Sequence, residues 1–269
     1  KSVFSTVGIL IKSNFYMKRR IHLHFACIGW ILIFTASCGL SNQKEIVRNK
    51  EKVELSVEDI LMDGMLDTSN SQRKIFNRIA GFNGETYKKP IKYYIHDKTG
   101  RKNFKILPSD NKYTYKVSDD AEKFIVETFE KIDQYIDLDF KRVYSARKAT
   151  INIYQTEAPS GRMGWAEGAW WKSPPKYLVE IAWMGDETMN PKLKNYPTLS
   201  TLSAYVLLHE IGHALGLEHK KFDPGDYRIN IKDTIMSYRT DGNSLSDKIF
   251  FTDLDIKALR TLWGVEKDN

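Results

Sequence analysis

The run of residues from 209 to 219, HEIGHALGLEH, combines residue types that can bind a metal ion and hydrolyse a bond. His209 and His213 are four positions apart, so on a helix both imidazoles project from one face on successive turns. Glu210 follows the first histidine and would lie beside the bound ion, where its carboxylate can take a proton from water. The pattern therefore predicts a metal site that activates water for hydrolysis.

The second half of the run supplies a turn and a third imidazole. Gly216 comes three residues after His213, and glycine tolerates the left-handed conformation with which a chain leaves a helix. The chain can then return so that His219 becomes the third ligand. Three neutral histidines leave one position of a tetrahedral zinc ion open for water or substrate. Two histidines on a helix are often plain surface residues, but the full pattern in register favours the metal site. His96, which lies outside this pattern, is predicted to be a surface residue at a strand end.

The combined pattern resembles the signature of the metzincin zinc metallopeptidases, and the resemblance continues downstream. The run Asp233-Thr234-Ile235-Met236-Ser237-Tyr238 is similar to their Met-turn. The resemblance implies that Met236 forms a hydrophobic floor beneath the zinc histidines. It also implies that Tyr238 lies near the metal and stabilises the oxyanion. A packed tyrosine with a satisfied hydroxyl is the alternative for Tyr238.

The same resemblance implies one catalytic zinc ion held by His209, His213 and His219. The expected activity is that of an endopeptidase that hydrolyses extended polypeptides with Glu210 as general base, the substrate lying antiparallel to an edge strand. Two other hypotheses remain open. One is a lipid-anchored binding or adhesion protein on an inactive protease fold, which the intact Glu210 argues against. The other is a zinc hydrolase that acts on a non-peptide amide.

The elements that must position these residues alternate between strands and helices. Apolar positions at helical spacing predict a helix over residues 118–140, and a second helix over residues 199–217 carries the histidines. Residues 251–264 resemble the C-terminal helix of metzincins. Strands are predicted at residues 91–95, 150–154, 164–171 (an edge strand) and 177–183. The expected fold class is α/β (α+β): a metzincin-like domain with a twisted mixed sheet, long helices, an active-site helix, a Met-turn and a C-terminal helix.

The front of the chain has the parts of a secretory signal. Met17-Lys18-Arg19-Arg20 is basic, an apolar stretch follows, and Thr35-Ala36-Ser37-Cys38 resembles a bacterial lipobox. This resemblance implies a signal peptide over residues 17–37 and a lipid on Cys38. The predicted location is the bacterial cell envelope, anchored outside the cytoplasm, or the secreted fraction. A plain secretory signal and an anchor helix are the alternatives.

The sequence divides the chain into four predicted segments. They are an upstream extension (1–16), the signal peptide (17–37), a tether and short N-terminal segment (38–85) and the catalytic domain (86–269).

Composition and charge favour a globular protein that does not bind nucleic acid. Hydrophobic residues make up 42% and charged residues 28% of the chain, as in ordinary globular proteins. The net charge of +7 comes largely from five basic side chains in the first 37 residues, which contain no acid, and no basic stripe stands out. The predicted catalytic domain contains no cysteine. We expect a monomer whose partners are a protein or peptide substrate and, through Cys38, a membrane. Calcium is a possible further ligand, but the run Asp241-Gly242-Asn243 is interpreted as a plain turn and does not support calcium binding.

Overall fold

The computed structural model describes residues 6–7, 53–107, 113–157, 163–172, 175–185, 192–219, 222–239 and 249–267. Cys38, the predicted signal segment 17–37 and the run 241–243 lie outside the described residues. The helices are α1 (Ser71–Ala80), α2 (Asp119–Asp133), α3 (Thr201–Ala214) and α4 (Asp253–Trp263), with a 3-10 turn at Val57–Asp59. Among the helices that the structure describes, none is both long enough and apolar enough to span a bilayer.

The strands form one large mixed sheet and a separate hairpin. They are β1 (Thr6–Val7), β2 (Ile91–Ile95), β3 (Gly100–Arg101), β4 (Tyr113–Tyr115), β5 (Phe140–Arg142), β6 (Ile151–Thr156), β7 (Gly164–Lys172), β8 (Pro175–Met184), β9 (Lys192–Leu193) and β10 (Tyr196–Ser200). The sheet order is β1-β7-β8-β6-β2-β5, and β9 pairs with β10. Strands β2, β5, β6 and β8 run parallel, whereas β7 is antiparallel to β8. The predicted α+β class with a mixed sheet is confirmed.

Helices α2 and α3 pack on one face of this sheet because their apolar residues face it. In α2 the buried positions recur at helical spacing, and Phe124, Ile125, Phe129 and Ile132 join the core. The sheet contributes Ile153, Ile181 and Trp183. Burial of each side chain of this size stabilises the fold by about 1.5–3 kcal/mol. This packing fixes α3, and with it the histidines, against β7 and β8.

Both predicted long helices are shorter in the structure. Helix α2 ends at Asp133 rather than at residue 140, because Ile136 leaves the helix and forms a bridge with Val265 after α4. Helix α3 starts after Ser200, whose side chain accepts a hydrogen bond from the Ser203 N–H, rather than at residue 199. It ends at Ala214 rather than at residue 217. The apolar pattern continues past each helix end because these residues stay buried in another conformation.

Residues 53–85 share the core of the domain that the sequence placed after residue 85. Ile60, Leu61, Met65 and Phe76 belong to the same buried cluster as α3 and α4. The ring of Phe76, in α1, lies 4.4 Å from that of Trp263 between centroids. The described part of this segment therefore packs against the same core as α3 and α4.

Strand β7 is paired with neighbouring strands on both of its edges over part of its length. It pairs with β8 along its whole length, from Gly164 opposite Trp183 to Lys172 opposite Pro175. Its other side pairs with β1 at Gly168 and Ala169. The prediction of a simple edge strand over residues 164–171 therefore needs correction at these two positions.

Candidate metal centre

Helix α3 carries the first two histidines deep in the protein. His209 and His213 are 4% and 9% exposed. Their ring centroids are 4.8 Å apart, as expected of residues on successive turns of one helix face. The predicted placement of both imidazoles on one face is therefore confirmed.

A glycine turn brings the third histidine to the same place. Gly216 has a φ of +98°, a left-handed value that other residues rarely adopt, and a Cβ there would lie 2.9 Å from Cδ1 of Leu262. The Leu217 N–H donates to the Gly212 carbonyl at 2.9 Å and closes the helix. One ring nitrogen from each of His209, His213 and His219 can be chosen so that the three atoms lie within 4.8 Å of one another.

Backbone carbonyls orient the two helical imidazoles. Nδ1 of His209 lies 2.9 Å from the carbonyl oxygen of Ile235, and Nδ1 of His213 lies 3.0 Å from that of Leu217. A carbonyl only accepts, so each Nδ1 carries the proton and donates it. Each Nε2 is then left as the lone-pair donor for a metal ion.

Burial keeps the three imidazoles neutral. It lowers the pKa of His209 well below its usual value and lowers that of His213 to about 3. The pKa of His219 is also lowered by burial. A histidine must be neutral to bind a metal, so these side chains are in the required state at neutral pH.

Met236 lies directly beneath helix α3. It is fully buried, and a Cβ added to Gly212 would lie 3.1 Å from its Sδ. The turn over residues 233–238, called here the methionine turn, therefore lies close to α3 at position 212, where an added side chain would press against Met236. Gly212 lies on the side of α3 that faces Met236, the residue to which the metzincin resemblance assigns the floor.

Asp255 holds the methionine turn in place, and sequence reasoning did not find it. Its buried carboxylate accepts hydrogen bonds from the Thr234 hydroxyl at 2.6 Å and from the Ile235 N–H at 2.9 Å. It also accepts from the backbone N–H of Thr252, the N-cap of α4, at 2.8 Å. The spacing Thr252-x-x-Asp255 at the start of a helix is a capping-box pattern and could have indicated the pair. Burial raises the pKa of Asp255, although these hydrogen bonds act in the opposite direction.

Tyr205 is a second contact that the sequence did not reveal. Its hydroxyl donates to the carbonyl oxygens of Ile235 and Ser237, so α3 is bonded directly to the methionine turn. Nothing in its position in the apolar helix pattern distinguished it from ordinary core residues.

Glu210 lies against the backbone of strand β7. Its side chain is buried, with 6% of the residue exposed. A Cβ at Gly164 would lie 2.5 Å from Oε1 of Glu210, closer than any real contact. Gly164 leaves room for this carboxylate and places the start of β7 beside it.

Tyr238 also lies at the centre, with its hydroxyl oxygen 3.0 Å from Nε2 of His219. Its ring centroid is 5.4 Å from that of His209. Half of the residue is exposed, at 50%. Tyr238 is thus adjacent to the imidazoles and open to solvent, as a residue that contacts substrate must be.

The segment ahead of α1 contacts the turn between the second and third histidines. The Glu218 N–H donates to the Ile60 carbonyl at 2.8 Å, and the Met62 N–H donates to the Gly216 carbonyl at 3.0 Å. Leu61 and Leu217 form the antiparallel bridge between these bonds. No local pattern predicts pairing across this distance in the chain.

His96 does not belong to the cluster, and the prediction that it lies at the surface is wrong. It is 7% exposed. Its Nε2 lies 3.0 Å from the Thr114 hydroxyl oxygen and its Nδ1 3.2 Å from that of Tyr94. The β3–β4 hairpin supplies Thr114 and covers the end of β2, which the sequence of the strand alone did not show.

Comparison of the chain with models of protein families and with curated protein sequences found no match. The assignment of the site rests on its residues and their geometry. A set of three neutral imidazoles suits zinc and also other divalent transition metals.

Proposed function

We propose that the protein is a zinc-dependent endopeptidase of the metzincin type. The observation that carries the proposal is the buried cluster of His209, His213 and His219, which have ligand atoms within 4.8 Å of one another, with Glu210 adjoining the first of them. A structural metal site needs no carboxylate beside its ligands, whereas a hydrolytic one requires a base there.

The three histidines would hold the ion. Carbonyl partners at Nδ1 orient His209 and His213, so neither ring has to reorganise on binding. When bound, zinc polarises the scissile carbonyl and lowers the pKa of a bound water towards neutrality.

Glu210 acts as the general base and then as the general acid. Its carboxylate accepts the proton of the attacking water and passes it to the amine that leaves. The contact with the backbone at Gly164 limits the positions that this carboxylate can take. The base therefore stays on the side of the cluster where β7 begins.

Tyr238 donates a hydrogen bond to the carbonyl oxygen of the substrate as negative charge develops on it. The hydroxyl lies 3.0 Å from Nε2 of His219 and can turn towards a substrate because the side chain is half exposed. A donor of this kind contributes most where water is excluded, as in a site closed by a bound polypeptide.

The substrate class is an extended polypeptide. Strand β7 starts beside Glu210 at Gly164 and offers the outer backbone groups that precede its pairing with β1 to a chain that adds to the sheet. Strand addition recognises the main chain and needs few specific side chains. A peptide bond next to that strand would lie close to the base.

The test uses the full chain with denatured casein as substrate. We expect cleavage that a zinc chelator abolishes, and a Glu210→Gln variant that keeps its zinc but loses activity by at least about 100-fold. A His219→Ala variant should lose zinc. Undiminished cleavage by Glu210→Gln would contradict the assignment of the base. Zinc binding without casein cleavage would favour an inactive binding protein, or a hydrolase of non-peptide amides if a library of such amides is cleaved.

We also propose that the protein is anchored to the bacterial envelope through a lipid on Cys38. The support is the order of basic, apolar and small residues over 17–37. A Cys38→Ser variant should move from the membrane fraction to the soluble fraction. Retention of this variant in the membrane would favour an anchor helix instead.

A further inference from the structure

Two carboxylates lie side by side on one face of the sheet, away from the histidine cluster. Glu180 in β8 and Glu167 in β7 are register partners, and they are 1% and 7% exposed. Side chains on paired positions point to the same face, which here is opposite the one that carries Val179 and Ile181. Like charges on two buried register partners repel unless a cation or a proton lies between them.

Three backbone N–H groups donate to the carboxylate of Glu180. Its Oε2 accepts from Lys105, Ile106 and Leu107 at 2.9, 2.7 and 3.2 Å. Its Oε1 accepts only from Lys105, at 3.1 Å. Oε1 therefore has the capacity to bind a further partner.

Glu167 has no such support. Burial raises its pKa, and the neighbouring charge of Glu180 raises it further. Within the described parts of the chain, neither carboxylate has an ion-pair partner. The pair lacks the positive charge that buried acids usually have.

Asn152 extends the same row by one strand. It is the register partner of Glu180 in β6 and is 1% exposed. Its Oδ1 is buried and accepts no hydrogen bond from the described residues. An unsatisfied buried acceptor is rare in native proteins and calls for a partner. Three neighbouring strands thus present side-chain oxygen atoms on one face of the sheet, and Oδ1 of Asn152 has no partner among the described residues.

We propose that Asn152, Glu167 and Glu180 form a calcium site. The proposed ligands are all oxygen atoms, from two carboxylates and one amide carbonyl. Ca²⁺ binds six to eight oxygen ligands of this kind, and water would complete its coordination shell. Zinc would prefer nitrogen or sulfur ligands. The bound ion would join β6, β7 and β8 to the loop over residues 105–107 that caps Glu180.

The competing arrangement is a proton shared by the two carboxylates. Thermal unfolding of the zinc-loaded full chain, first in calcium-free buffer without a chelator and then with added CaCl2, separates the two. Calcium at a hundred times its Kd should raise Tm by about 5 °C or more for a domain of this size. Calorimetric titration should give one calcium ion per chain.

The matched variants are Glu167→Gln and Glu130→Gln, the second of which lies on the exposed surface of α2. Glu167→Gln should raise Tm without calcium, because it removes the repulsion, and should weaken calcium binding at least about tenfold. Glu130→Gln should change neither the Tm nor the calcium affinity.

Absence of a calcium-induced shift of Tm in the parent protein, or an equal shift in Glu167→Gln, would overturn the proposal. If Glu167→Gln does not fold, the titration of the parent protein alone decides, and a parent that binds no calcium overturns it. Loss of the zinc site through His219→Ala should leave calcium binding intact, so this result is independent of the peptidase proposal.

Discussion

Nδ1 of His209 lies 2.9 Å from the carbonyl oxygen of Ile235, one residue before Met236. The N–H of the same Ile235 donates to the carboxylate of Asp255 at 2.9 Å. The start of α4 is therefore connected to one imidazole of the histidine cluster by two hydrogen bonds through one residue. The orientation of His209 depends on a carboxylate that lies outside the cluster.

Substitution of Asp255 by asparagine should weaken zinc binding as well as the fold. The amide cannot accept all the hydrogen bonds that Asp255 receives, so we expect a loss of about 2–4 kcal/mol in the free energy of unfolding. Zinc affinity should fall about 10-fold or more because His209 loses its support. Urea unfolding and a competition assay for zinc measure the two effects. Asp253→Asn, at an exposed position in the same turn, should be near neutral, and equal zinc affinity in both variants would contradict the connection.

The substitution Gly164→Ala should reduce activity while zinc remains bound. The added methyl group would lie 2.5 Å from Oε1 of Glu210 and would displace the base. Misplacement of a catalytic group by about 1 Å costs about 100-fold in rate. The control is Gly168→Ala on the same strand, where the new Cβ is 3.1 Å from the hydroxyl of Tyr177. Steady-state kinetics with metal analysis of both variants is the measurement, and full activity in Gly164→Ala would show that the carboxylate adapts.

Replacement of Tyr238 by phenylalanine should lower kcat more than it changes KM. The hydroxyl is proposed to act only as charge develops on the substrate, so its loss should cost about 100-fold in turnover. Tyr227→Phe, an exposed tyrosine nearby in the sequence, serves as the control. Normal turnover in Tyr238→Phe would support the packing role that the sequence left open.

The backbone contact of residue 62 can be removed separately from its side chain. Met62→Pro deletes the N–H that donates to the Gly216 carbonyl at 3.0 Å, whereas Met62→Ala keeps it. We expect Met62→Pro to lower zinc affinity about 10-fold through displacement of the loop that leads to His219. Met62→Ala should lose stability but bind zinc nearly normally. Zinc titrations that do not distinguish the two variants would contradict a role of this segment in positioning the ligand.

The metal-free protein should lose stability as the pH falls below about 6.5. Burial lowers the pKa of His213 to about 3, so the unfolded chain binds a proton in this range that the folded protein does not. The lost stability is roughly 1 kcal/mol per pH unit for each such histidine, between the unfolded pKa and the folded one. Urea unfolding after metal removal, at pH 7 and pH 5, tests this. His213→Gln should show a shallower dependence, and an identical slope would show that other groups dominate.

The sequence predicted most of the elements because local signals specified them. The alternating strands at 91–95 and 150–154 and the apolar spacing in α2 all correspond to observed elements. Helix ends were less well predicted: Ile136 is buried by its bridge to Val265 and not by a helix, and periodicity does not distinguish the two. His96 was misassigned because the hairpin that covers it comes from later in the chain.

The sequence by itself determined which histidines cluster, since His209, His213 and His219 are spaced so that one helix and one glycine turn bring them together. These relationships are local and follow from helix geometry. Only the tertiary structure decided what orients and surrounds them: Asp255 behind the methionine turn, Gly164 against Glu210, and Ile60 and Met62 beside the turn at Gly216. Those contacts join residues far apart in the chain, and their existence depends on how helices and sheet pack into one core, which no local pattern specifies.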